Sequence, residues 1–231
     1  MEIKDKVDIL DQMFTIYDDF LADKQVACEK GCDSCCTRNV TLTTLEGFRL
    51  LDRMGKAQHD LLLSDIRTRE GNERFMPRLT INQMAAMCAQ GKEIPEEENR
   101  PEWGSCPLLT DALCPVYENR PFGCRCMVSR ANCAQTGYAD MDPLILSVND
   151  VFLQYIEHID ALGYSGNFID ILLFLDTDQN RHDYLNSHLN KPASETGLIP
   201  NHPVQVLMIP PEHRKAVAPI LEAFRSIRPR G

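Results

Sequence analysis

The run CEKGCDSCC places four thiols, Cys28, Cys32, Cys35 and Cys36, within nine residues. A thiol is a small apolar group until it loses its proton, and it then becomes a soft ligand for zinc or iron. Four thiols this close together do not serve as core filling. They bond to one another or they share a metal, and the surrounding chain has to fold so that one of these happens. Gly31, Asp33 and Ser34 suit a tight loop on which thiolates converge. Adjacent side chains diverge on an extended backbone, so Cys35 and Cys36 are expected to face different metals or opposite sides of one cluster.

A second group, Cys106, Cys114, Cys124, Cys126 and Cys133, follows later in the chain. Cys106 and Cys114 each precede a proline, which stiffens the backbone and removes an amide, fixing the thiolate's direction. Cys88 stands apart from both groups. It lies among methionines in INQMAAMCAQ and reads as a small buried residue on a helix.

The chain of 231 residues is long enough to bury a sizeable core without disulfides. Its net charge of -10 argues against nucleic acid, whose phosphates require clustered Lys and Arg, and against anionic membrane surfaces. No apolar run approaches the roughly 20 residues that span a bilayer. The start, MEIKDKVDILDQMF, is charged from its second residue and shows no export signal. The expectation is a cytoplasmic protein. Structural disulfides are rare there, so ten cysteines point to metal. Their even number leaves a disulfide framework as the lesser alternative.

Apolar periodicity predicts helices over 3–21, from Thr43 or Thr44 onwards, over 56–70, 143–162, 167–189 and 211–227. Residues 91–105 read as a loop, residues 204–209 as a short strand, and the segment around Thr110–Asp111–Ala112 as a small hairpin or knuckle. The fold class expected is mainly α: a helical domain with a small β-hairpin or knuckle around a cysteine-ligated metal site. It forms one domain, 1–231. A cysteine module (28–133) is flanked by an N-terminal helix (1–27) and a C-terminal helical region (134–231).

Ligation by sulfur alone suits zinc or an iron–sulfur cluster and disfavours calcium or magnesium. Structural zinc sites usually show two closely spaced cysteine pairs. A run of four followed by widely strung cysteines leans instead towards iron–sulfur, whose larger core accepts ligands from several directions. The ligands predicted are Cys28, Cys32, Cys35, Cys36, Cys106, Cys114, Cys124 and Cys133, holding one cluster or two neighbouring metals. Lys30, Arg38, Arg120 and Arg125 lie near them in sequence and offset their charge. Arg120 and Arg125 are expected to hydrogen-bond to sulfur.

These residues resemble the YkgJ-like cysteine-cluster family, described as a zinc- or iron-chelating domain. The matching positions are Cys28, Cys32, Cys35, Cys36, Glu46, Cys106, Pro107, Leu109, Cys114, Tyr117, Glu118, Arg120, Pro121, Cys124 and Arg125. Cys133 is similar to a further family cysteine. Cys126 departs from the pattern, next to Met127 where the family often carries an aromatic. The resemblance covers roughly residues 28–133 and implies metal chelation, but no substrate. Some proteins with this module, flagellin lysine methylases among them, are enzymes, and no residue here transfers that activity.

Three functions fit the pattern. The first is a structural or electron-carrying metal site, favoured by many thiolates and no nucleophile–base constellation. The second is a metal-dependent enzyme. Cys28, Cys32 and Cys35 have the spacing of radical S-adenosylmethionine enzymes, but the chain lacks the βα alternation of their barrels. The third is metal trafficking through an open site. No histidine lies inside a cysteine group, and Glu46, at a helix start, is expected to interact with the helix dipole.

Overall fold

The computed structural model describes residues 1–68, 71–189 and 196–230. The spacing of apolar residues in the N-terminal segment produces α1 (Ile3–Leu21), which buries Ile3, Leu10, Met13, Phe14 and Tyr17 along one face. The cysteine run follows without regular structure and leads into β1 (Thr41–Thr43) and α2 (Thr44–Asp52). Thr43 is the N-cap of α2, and with Glu46 it forms a capping box. Next come α3 (Lys56–Thr68) and α4 (Ile81–Ala89), the latter capped in the same way by Thr80 and Gln83. The second cysteine segment carries only short turns, α5 (Phe122–Arg125) and α6 (Cys133–Thr136). Pro143 at the first position of α7 (Pro143–Ile159) has its fixed φ where a helix start needs it.

Mainly α is therefore the observed class, with ten α-helices and three short strands among the described residues. The 167–189 segment divides at Thr177 into α8 (Phe168–Asp176) and α9 (Asp178–Leu185). The C-terminal helix α10 (Arg214–Ser226) follows a single 3-10 turn at Pro211–His213. No described helix is long and apolar enough to cross a membrane.

The expected strand at 204–209 does not form. Its backbone is instead held by side chains of α7: Met208 N–H donates to Gln154 Oε1 (2.9 Å), and Gln154 Nε2 donates to the Val206 carbonyl (2.8 Å). With these groups already occupied, no ladder is available to them. The sheet lies elsewhere. β1 pairs antiparallel with β2 (Tyr164–Asn167) in the register Thr41↔Asn167, and β2 pairs with β3 (Ile199–Pro200). The polar sequence YSGN gave no strand signal. It pairs because Asn167 caps α8 and donates to the Arg38 carbonyl (2.7 Å), drawing the chain alongside β1.

Two apolar clusters make up the core. One gathers α2, α3, α8 and the sheet around Leu50, Ile66 and Leu172. The other gathers α1, α7 and α10 around Phe14, Tyr17, Phe122 and Phe152. In the second, Tyr17 packs edge-on against Phe122 (4.8 Å) and Phe122 stacks on Phe152 (5.2 Å). The short helix α5 is thus anchored by its first residue in a rigid aromatic stack.

Candidate metal centre

The cysteine run is tied at both ends to the second cysteine segment. At its start, Ala27 N–H donates to the Ser129 carbonyl (2.7 Å), and Ser129 N–H donates to Cys28 Sγ (3.2 Å). At its end, Cys106 N–H donates to the Cys36 carbonyl (2.8 Å) and Arg38 N–H to the Gly104 carbonyl (3.1 Å). Between these ties the chain turns at Gly31, whose φ of +96° suits glycine and not a residue with a Cβ.

This folding brings seven of the eight predicted ligands to one cavity of about 220 Å³: Cys28, Cys32, Cys35, Cys36, Cys106, Cys114 and Cys124. Cys133 lies beyond it, on a much smaller cavity of about 10 Å³ that also touches Cys28, Cys32 and Cys35. All ten cysteines carry free thiols. Among the described residues, no histidine lines either cavity. Among the described residues, no three Cys, His, Asp or Glu side chains converge tightly enough to hold a metal ion as they stand.

Cys35 and Cys36 sit on a turn, with Cys36 N–H donating to the Asp33 carbonyl (2.8 Å). Both line the larger cavity, and of the pair Cys35 also lines the smaller one. One expectation for the cysteines needs correction. Cys88 is exposed near the end of α4 and not buried. Cys126 belongs to the aromatic core and lines neither cavity. Burial first, and then the nearby Glu46 charge, push its thiol up to about 12.

The crowding of thiols has an electrostatic consequence. Burial, followed by the neighbouring Cys106 and Cys114, raises the Cys124 thiol well above its ordinary value. Burial also raises Cys28 and Cys114. Donation of the Cys35 S–H to Cys36 raises the Cys35 thiol, and burial adds to it. Without a cation among them these groups stay protonated.

Arg120 lines the cavity with its guanidinium flat on the Tyr117 ring, 3.8 Å from the centroid, and its charge favours the thiolates of Cys35 and Cys114. Arg125 also lines the cavity. Its Nη1 donates to both oxygens of Asp18 (2.9 and 3.0 Å), and among the described residues its buried Nε–H has no hydrogen-bond partner. Seven thiols with the Arg120 charge beside them are a donor set that fits an anionic sulfur-rich group.

Cys124 owes its position to residues outside the cysteine pattern. Glu46, buried in α2, accepts from Thr43 N–H (2.9 Å) and from Phe122 N–H (2.7 Å), the first amide of α5. Its role is wider than the helix dipole expected from sequence, because it ties the cap of one helix to the start of another. Gly123 lets α5 approach β1 closely: a Cβ there would sit 2.9 Å from the Thr41 carbonyl oxygen. The Asn149 side chain accepts from Tyr17 Oη–H (2.7 Å) and donates to the Cys126 carbonyl (3.0 Å), closing the far end of α5. Of these residues the sequence singled out only Glu46, for the helix dipole and as a position of the family pattern.

Set against known families, curated proteins and solved structures, the chain matches no family model, no curated protein and no solved structure.

Proposed function

We propose that this protein binds an iron–sulfur cluster through cysteine thiolates, in a structural or electron-carrying role. The single observation behind this reading is the cavity of about 220 Å³ walled by seven free thiols from distant parts of the chain. Zinc bonds sulfur at about 2.3 Å, so four thiolates on one zinc ion crowd round a point. Thiols spread round a wider space suit a polynuclear core instead. When bound, the cluster supplies one-electron transfer or a crosslink between the two cysteine segments. Cys36, Cys106, Cys114 and Cys124 line the larger cavity and not the smaller, and are the ligand set proposed for it; Cys28, Cys32 and Cys35 line both. Arg120 balances thiolate charge from the Tyr117 face.

The resemblance to the YkgJ-like family points the same way. Ten free thiols persist in a reducing compartment, which suits the cytoplasm. The acidic surface gives no purchase to nucleic acid.

The test is anaerobic purification with analysis of iron, zinc and labile sulfide, and a visible spectrum. A brown protein bleached by dithionite, with iron and sulfide in matching amounts, is expected. Cys124→Ser should lose most of that iron and unfold at lower temperature, because metal binding and folding are linked. A colourless protein holding zinc alone, or Cys124→Ser with full iron content, would sink the iron–sulfur reading.

A further inference from the structure

The cysteine run is anchored at two places that lead to different parts of the second segment. The Cys36 end pairs with Gly104–Cys106. The Cys28 end pairs with Met127–Ser129, from which the chain continues directly to Cys133. The two ends therefore meet different distant cysteines. The cavities divide in the same way. Cys36, Cys106, Cys114 and Cys124 touch only the larger, Cys133 touches only the smaller, and Cys28, Cys32 and Cys35 form the wall between them.

We infer that Cys28, Cys32, Cys35 and Cys133 form a second metal site, separate from the cluster cavity, which takes a single zinc-class ion. The inference rests on the thiolate–metal reading above and adds a site to it. Size decides the occupant. A cavity of about 10 Å³ admits roughly one water-sized sphere, too little for a polynuclear core and enough for one ion. Four thiolates complete the tetrahedral shell that zinc prefers in structural sites. Among the described residues, no carboxylate or histidine lines this cavity, so the shell offered is sulfur throughout.

The surroundings suit a bound thiolate. Ser129 N–H points at Cys28 Sγ (3.2 Å), the backbone-amide contact that steadies a metal-bound sulfur. Cys133 starts α6, whose entry is capped by Asn132 accepting from Ala134 N–H (3.0 Å), and Gly137 ends it in the left-handed region (φ +78°). The Ser129 hydroxyl donates to the Ala131 carbonyl (2.7 Å) and accepts from Asp140 N–H (2.9 Å), closing the loop that presents Cys133.

The experiment uses the full chain, reconstituted anaerobically with iron and sulfide and then equilibrated with zinc. Wild type, Cys133→Ser and Cys114→Ser are each analysed for iron, sulfide and zinc, with helicity followed by circular dichroism. The wild type should hold one zinc beside its iron and sulfide. Cys133→Ser should lose at least tenfold in zinc content and keep its iron and sulfide; Cys114→Ser should do the reverse. Zinc retained by a folded Cys133→Ser, or lost together with iron and sulfide in equal proportion, overturns the second site. Should Cys133→Ser fail to fold, the wild type decides: iron and sulfide without zinc overturn the inference. A chain that takes zinc in a Cys133-dependent way but never iron and sulfide leaves this site standing and removes the cluster reading.

Discussion

The Glu46 carboxylate accepts from amides that belong to two different helices, so one side chain registers α2, β1 and α5 against each other. Burial raises its pKa, even though three hydrogen bonds favour the charged form. Glu46→Gln keeps the shape and exchanges one acceptor oxygen for an NH₂ group. Whichever way the amide turns, one buried N–H then faces a donor. The expected cost is about 1–3 kcal/mol, which for a chain of this size lowers the melting midpoint by roughly 2–4 °C per kcal/mol. Thermal unfolding by circular dichroism measures it, and an unchanged midpoint would show that Glu46 does not hold α5. At this scale the sequence was legible where chemistry is carried by residue type: cysteine sulfur, a threonine at 43 or 44 starting a helix, Pro143 at a helix start. It was not legible for Cys88, because burial is a property of what packs around a side chain and not of the side chain itself.

At the scale of elements, α5 is the piece that carries Cys124 against the sheet. It is too short to be stable alone. Its place depends on Phe122 in the aromatic stack and on the missing side chain at Gly123. Gly123→Ala puts a methyl group against the Thr41 carbonyl, and the resulting shift costs about 1–3 kcal/mol. Metal content should fall with it, since Cys124 moves too. Gly55→Ala, where a Cβ meets nothing within 4 Å, is the control and should leave both unchanged. Equal behaviour of the two variants would show that the close approach does not matter. The long helices were readable because their faces repeat every three or four residues over several turns. The sheet was not, since β2 is polar and its pairing depends on Asn167 reaching the Arg38 carbonyl across the fold.

Across the whole molecule, stability depends on pH through groups the fold has withdrawn from water. Asp150, on α7, is pushed up to about 6 by burial alone. Its unfolded value is near 3.9, so the folded chain binds this proton more tightly. The stability it contributes is present at acid pH and is lost as pH rises from about 4 through about 6. Asp150→Asn removes that dependence. It should stabilise the protein at pH 8 by about 1–2 kcal/mol, after allowing for the water that still reaches the group, and the gain should vanish near pH 4. Denaturant titrations at both pH values measure it; a gain of equal size at both would exclude ionisation as its cause. By itself the sequence determined the chemistry available and the helical class, since thiol content and apolar periodicity are local properties of the chain. Only the tertiary structure decided which thiols face which cavity and that Cys126 belongs to the core. Those outcomes depend on hydrogen bonds and packing between segments up to about a hundred residues apart, and no window of sequence contains both partners.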